Sequence, residues 1–180
     1  MLYVMRHGRT DWNDLHKLQG STDIPLNETG RQMAQKAHDE YASVHFDVCF
    51  CSPLVRALET AQILLRDRNI PIVTDERLRE MGFGSYEGIE NSFDVPPIDV
   101  FFKDPAHYVA QDGAEPFEHL FARTGEFLDE KVKPLLAQQK DVLIVGHGAM
   151  NASIICQMKK LPLEQFWSGG LQNCKLLKIE

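Results

Sequence analysis

The sequence predicts an α/β fold, a single-domain three-layer α/β/α sandwich around a mostly parallel sheet. Three observations predict it. Short apolar runs rich in strand-forming residues alternate with longer stretches of helical periodicity, the pattern of repeated strand–helix–strand units. The chain has 180 residues, enough for one substantial core and too few for two ordinary domains, so residues 1–180 are read as one unit. Polar residues able to grip an anion stand just after several apolar runs, where open parallel sheets bind ligands.

In chain order, Leu2-Tyr3-Val4-Met5 is a short apolar run stopped by Arg6 and reads as the first strand. A helix is expected over 28–41, with Asn27 as N-cap and Met33, Ala37 and Tyr41 on one face. Residues 46–51 form a second strand. Ser52, with Pro53 after it, fits the start of the next helix, because Pro lacks only an N–H that the first turn leaves unbonded. Residues 70–74 read as a third strand. A long helix over 115–138 places Phe117, Leu120, Phe121, Thr124, Phe127, Leu128, Leu135 and Leu136 near helical spacing, a core stripe. Residues 142–145 form a fourth strand, a helix follows Gly148 through Ile154 and Ile155, and 174–179 form a fifth strand.

Composition narrows the function. A formal charge of -7 argues against non-specific binding to nucleic acid or to an acidic membrane, both of which need a net basic face. Anionic ligands must then be small and held locally. The four cysteines match no Cys-x-x-Cys spacing; Cys49 and Cys51 share a strand face and read as packed thiols, so no disulfide framework is expected. No signal-peptide pattern opens the chain, and no apolar run approaches the roughly 18 residues of a membrane span. A reducing cytoplasm is the default compartment.

Four strand ends carry the chemistry: Arg6-His7-Gly8, the stretch 52–56 ending in Arg56, Arg79-Glu80, and Gly146-His147-Gly148. Glycines beside a histidine let backbone N–H groups approach a ligand, and His147-Gly148 opens a helix whose first N–H groups favour an anion. The pattern suits phosphoryl transfer, which needs positive charge and donors around the transferring group. Arg6, Arg56 and a donor from His147 supply these, since guanidinium forks match phosphate geometry. No carboxylate cluster suited to a metal stands beside them. His7, next to Arg6 in a glycine-bounded turn, fits a covalent nucleophile better than His147. Glu80 is the candidate acid for the leaving alkoxide and base for the attacking water.

At these positions the chain resembles the histidine phosphatase superfamily, also called the phosphoglycerate mutase-like family, in its phosphatase branch. The resemblance rests on Arg6-His7-Gly8-Arg9-Thr10 with Asn13, on 20–26 with Gly30, on 52–57 with Thr60-Ala61, on 77–80 with Glu87-Gly88, and on Gly146-His147-Gly148, in that order over residues 1 to about 155. It implies a phosphoglycerate mutase-like sandwich and a phosphoric monoester hydrolase of the histidine acid-type, acting through a phosphohistidine. It implies His7 as nucleophile, Glu80 as acid and base, Arg6, Arg56 and His147 as phosphate clamp, and Asn13, Gln19, Gly20 and the Gly148 backbone around the substrate. No metal or organic cofactor is implied.

The chain departs from the family pattern at two points. Arg9 stands where members usually have Glu or Gln, and Ala152 where many have Arg. Arg9 is therefore expected to bias the site toward substrates with a second negative group. The mutases typically follow the acid Glu with Arg-His and a longer basic segment, whereas here Glu80 precedes Met81-Gly82-Phe83-Gly84. The segment 89–113 has Lys103 as its only Lys or Arg beside Phe93, Phe101, Phe102 and Tyr108, and reads either as an apolar cap over the leaving group or as a surface loop with a buried Phe. The expected reaction is hydrolysis of a small phosphorylated metabolite. A phosphoglycerate mutase and a non-catalytic phospho-ligand or phosphoprotein binding module are the alternatives. His16, His38, His45, His107 and His119 lack a partner motif; only His107, in the cap segment, merits a test.

Overall fold

A computed structural model describes residues 1–179. Among them, strands β1 (Leu2–Arg6), β2 (Val48–Cys51), β3 (Ile72–Thr74), β4 (Val142–Gly146) and β5 (Leu176–Lys178) form one sheet in the order β3-β2-β4-β1-β5. The pairs β1–β4, β2–β4 and β2–β3 are parallel, and β5 runs antiparallel to β1 at the edge. The carboxyl ends of β1, β2 and β4 therefore lie side by side. The helices are α1 (Asp11–Asp14), α2 (Glu28–Glu40), α3 (Val55–Leu64), α4 (Ile98–Lys103), α5 (Phe117–Phe127), α6 (Lys133–Ala137) and α7 (Gly148–Lys159).

Strand side chains alternate between two cores, because successive Cβ atoms point to opposite faces. Leu2, Val4, Phe50, Val142 and Ile144 pack beneath α5 and α7, while Tyr3, Met5, Cys49, Cys51, Leu143 and Val145 pack beneath α2 and α3. The expected single-domain three-layer sandwich follows. β4 is buried on both faces, as a central parallel strand must be. The four cysteines are free and buried, and Cys49 and Cys51 are the packed thiols expected from sequence. No helix among the described residues is long and apolar enough to cross a membrane.

Local chemistry explains the boundaries. Asn27 caps α2 by accepting from Gly30 N–H at 2.9 Å, as expected. The expected cap at Ser52 is not made. α3 starts at Val55, whose N–H is taken by Asp23 Oδ1 at 2.8 Å, so the cap comes from a distant loop, while the Ser52 hydroxyl accepts from Leu54 N–H at 3.3 Å ahead of the helix. The long helix runs from Phe117 to Ala137 as predicted but passes through a π-helical turn at Leu128–Val132. Pro134, one residue into α6, lacks an N–H and its ring would strike a carbonyl in regular helix; the widened turn just before it relieves both conflicts.

In the segment 89–113, α4 places Phe101 at 0% exposure among Phe83, Phe102, Tyr108, Phe117, Phe166 and Trp167. Within the segment itself Phe101 and Tyr108 are buried, and Phe93 and Phe102 are half-buried. His107 is exposed and bonded to Asp104.

Candidate active site

β1 delivers His7 to the sheet edge with its backbone fixed on both sides. Its N–H donates to Gly146 O at 2.9 Å, and Asn173 Nδ2 donates to its carbonyl at 2.7 Å. Gly8 follows because the chain passes α2 at closest approach: a Cβ there would lie 2.5 Å from the Gly30 carbonyl oxygen. The Gly8 carbonyl sits 2.6 Å from His7 Nδ1. That bond places the ring proton on Nδ1 and leaves the Nε2 lone pair free. Burial, reinforced by Arg56 and then Arg6, holds the His7 imidazole neutral, well below its ordinary range, against the opposing Gly8 bond.

Arg56 on α3 is wholly buried. Its Nη1 and Nη2 donate to the Thr22 and Gly20 carbonyls, each at 2.7 Å, while Nε has no protein partner. Burial lowers its pKa to about 10, with Glu80 and Asp23 opposing, so it stays cationic at neutral pH. Arg6 likewise carries a buried, unpartnered Nε, and burial lowers its pKa against the pull of Glu80. Two guanidinium groups with unused donors thus converge beside a neutral imidazole. Such an array is complementary to a small anion.

Glu80 reaches the first turn of α7. Its Oε1 accepts from Met150 N–H and Met81 N–H, both at 2.9 Å, and Oε2 from Ala149 N–H at 3.1 Å. Gly148 at this turn leaves Glu80 and Arg6 at ordinary contact distance from where a Cβ would stand. Asn13 and Gln19 are ordered through Thr10, whose hydroxyl donates to Gln19 Oε1 at 2.8 Å. Asn13 Oδ1 accepts from Thr10 N–H at 3.1 Å.

These groups line a cavity of about 210 Å³. Arg6, His7, Asn13, Gln19, Gly20, Arg56, Glu80 and Gly148 form one end; Leu18, Phe83, Phe93, Phe101, Phe102 and Trp167 form the other. A buried nucleophile candidate, two cations and a carboxylate at the carboxyl ends of parallel strands match a family pattern over the whole chain. The model of the histidine phosphatase superfamily (branch 1) matches residues 2–180. The chain belongs to that superfamily.

Its relatives include both reaction types. Phosphoserine phosphatase 1 of Hydrogenobacter thermophilus is 29% identical, over 96% of this chain and 82% of its own. A 2,3-bisphosphoglycerate-dependent phosphoglycerate mutase of Cytophaga hutchinsonii is 28% identical over 91% of this chain and 79% of its own. Among solved structures, Bacillus stearothermophilus YhfR superposes with a TM-score of 0.84 at 32% identity, covering 97% of this chain and 88% of that one.

Within this superfamily site, two residues singled out from the sequence are placed unexpectedly. Arg9 does not line the cavity with His7: its guanidinium is half-exposed and paired with Asp14 on α1, which spends its charge outside. The capping box between Thr10 and Asn13 turns the chain into α1 there and brings Asp14 within reach. His147 is fully buried beside His7, ring centroids 5.2 Å apart, and is absent from the cavity lining. Its Nε2 lies 2.7 Å from Ser52 Oγ, and its Nδ1 is buried without a protein partner. Burial, then Arg56 and His7, keep this ring neutral too.

Other residues to which the sequence assigned no role support the site. Glu87 accepts from the backbone N–H groups of Ser21, Thr22 and Phe83 at 2.9, 3.0 and 2.9 Å and from the Thr22 hydroxyl, fixing the loop whose carbonyls hold Arg56. Thr60 joins the first strand end to α3, accepting from Gly8 N–H at 3.0 Å and donating to Arg56 O at 2.7 Å. Trp167 and Lys17 also line the cavity. Glu87 and Thr60 fall inside the family's sequence blocks, whereas Trp167 and Lys17 fall outside any motif.

Proposed function

We propose that the protein hydrolyses phosphomonoesters by passing the phosphoryl group from substrate to His7 and from His7 to water. The observation that carries the reading is the bond from His7 Nδ1 to Gly8 O, which leaves a neutral Nε2 as nucleophile beside the buried Arg56 and the half-buried Arg6. In the first half-reaction the Nε2 lone pair attacks phosphorus, the P–O ester bond breaks, and Glu80 gives its proton to the departing oxygen. In the second, water attacks the phosphohistidine, the N–P bond breaks with its electrons returning to Nε2, and Glu80 takes the water's proton. Arg6 and Arg56 neutralise the equatorial oxygens, and Asn13, Gln19 and the Gly148 N–H are further donors at the same end. With the Ser52 hydroxyl donating to His147 Nε2, the ring offers an Nδ1–H to an oxygen of the phosphoryl group on His7.

The leaving-group end favours hydrolysis over mutase chemistry. Phe83, Phe93, Phe102 and Trp167 line it, and its one cation, Lys17, lies 3.5 Å from the carboxylate of Glu90, a poor grip for a phosphoglycerate carboxylate. We read 89–113 as a cap over a small phosphorylated metabolite with an apolar portion, within a single domain. A depressed His7 pKa supports an acid-type profile, since the nucleophile stays unprotonated below neutrality. Four buried free thiols fit a reducing cytoplasm.

The test is p-nitrophenyl phosphate turnover in excess EDTA, with His7→Ala as control, followed by a panel of phosphorylated metabolites read out as free phosphate. Turnover that survives EDTA and vanishes in His7→Ala is expected. Absence of turnover on every phosphoester would favour a binding module, and product isomers without free phosphate would favour a mutase.

A further inference from the structure

Behind Glu80, away from His7, lies a second groove lined in part by Gly82, Glu115, His119 and Arg123; Glu80 lines both spaces. The segment bearing Glu80 is short, irregular and flanked by Gly82, so nothing in its own secondary structure fixes it. What fixes it is a partly buried ion pair. Arg123 of α5 donates through Nε to Glu115 Oε1 at 2.7 Å and through Nη2 to Oε2 at 2.9 Å, with both side chains only 13% and 12% exposed. Its remaining nitrogen, Nη1, donates to Arg77 O at 2.6 Å and Arg79 O at 2.8 Å. Glu115 accepts from Gly82 N–H at 3.1 Å, and its own N–H donates to Gly82 O at 2.7 Å.

The backbone on both sides of Glu80 is therefore tied to one rigid pair: the residue before it through Arg123, and the second residue after it through Glu115. A planar fork with five fixed donors can make all these bonds at once, and a lysine cannot. His119, exposed, adds one more bond to Glu115 Oε1, at 2.6 Å. None of these three side chains reaches the cavity that holds His7.

We infer that Arg123 and Glu115 are positioning residues for proton transfer, holding the Glu80 carboxyl group against the first turn of α7 and in reach of the leaving oxygen. The inference rests on the role of Glu80 proposed above. Displacing a general acid by about 1 Å weakens its contribution, which is commonly 10²- to 10⁴-fold, without touching phosphate binding.

Leaving groups of different basicity separate this role from a merely structural one. An alkyl phosphate needs the proton from Glu80 as its P–O bond breaks, whereas 2,4-dinitrophenyl phosphate leaves without it. The experiment measures kcat/KM of the full chain on both substrates for Glu80→Gln, Arg123→Met, Glu115→Gln and each of the latter two combined with Glu80→Gln. Expected is a loss of about 10- to 100-fold on the alkyl ester against less than about threefold on the dinitrophenyl ester for Arg123→Met and Glu115→Gln. No further selective loss is expected once Glu80 is already Gln. Equal losses on both esters, while Glu80→Gln alone is selective, would overturn the positioning role and leave the Glu80 assignment standing. A Glu80→Gln variant without selectivity would overturn both. Where Arg123→Met does not fold cooperatively, the nearly isosteric Glu115→Gln decides.

Discussion

The two ends of the cavity are built on different principles. At the phosphate end, groups costly to bury are fixed by backbone, His7 by Gly146 and Gly8, Arg56 by Gly20 and Thr22, Glu80 by Met81, Ala149 and Met150, with the Asn173 side chain adding one bond to the His7 carbonyl. At the other end, aromatic rings pack on one another, and the Trp167 indole N–H is used up on Phe101 O at 2.9 Å. Directed bonds define one end and shape defines the other. The first is suited to a group common to all substrates, and the second to whatever that group is attached to.

Substitutions at the two ends should therefore fail differently. Arg56→Met removes a buried donor and charge from the phosphate end, and kcat is expected to fall by about 10²- to 10³-fold on every substrate in a panel. A loss confined to some substrates would blur the division. Trp167→Ala removes part of the aromatic wall and should lower kcat/KM for bulky aryl phosphates by roughly 10-fold or more, the equivalent of about 1.5–3 kcal/mol of apolar contact. Small alkyl phosphates should change little, and a uniform loss would contradict a leaving-group role.

Ser52→Ala sharpens the phosphate end itself. It leaves His147 in place but frees its tautomer, and an effect of about 10-fold on kcat is expected, by analogy with outer hydrogen bonds that orient histidine ligands. If His147→Asn costs no more than Ser52→Ala, the ring acts only through that bond.

Stability should carry the mark of the same end. His7 and His147 are buried neutral, with pKa values well below the ordinary 6.5. The unfolded chain takes up protons below that pH and the folded chain does not, so stability is fully present above about 6.5 and declines as pH falls. The slope approaches roughly 1.4 kcal/mol per pH unit for each histidine. Urea midpoints between pH 7 and pH 5 measure it, before Asp47, Asp75 and Glu115, whose pKa values are lowered, begin to titrate. His147→Asn should reduce the slope by about half. A flat profile in the parent protein would mean that the histidines are not held neutral.

Legibility from sequence followed the same division. That His7, Arg56 and Glu80 share one cavity could be read because parallel strands bring residues distant in sequence to one edge, and each sits in a short recognisable block. The direction in which a side chain leaves its turn could not. Arg9 follows two residues after His7, yet the bend into α1 presents it to Asp14 instead of the cavity. Ser52 has every local property of a cap, but Asp23, 32 positions from Val55, supplies the bond instead. Trp167 lies past α7 in a stretch without periodicity, so its contact with Phe102 from the 89–113 segment is a tertiary fact with no local trace. The antiparallel sense of β5 is likewise set by how the chain returns to the sheet edge.

Everything at the phosphate end turns on whether His7 carries the phosphoryl group between substrate and water. Rapid acid-free quenching of the enzyme during turnover of 2,4-dinitrophenyl phosphate in EDTA, followed by digestion and mass analysis, tests it directly. A phosphoryl group is expected on the peptide containing His7, labile in acid and stable in alkali, appearing as fast as the first burst of dinitrophenol. A burst without label, or label on the peptide containing His147, would contradict it.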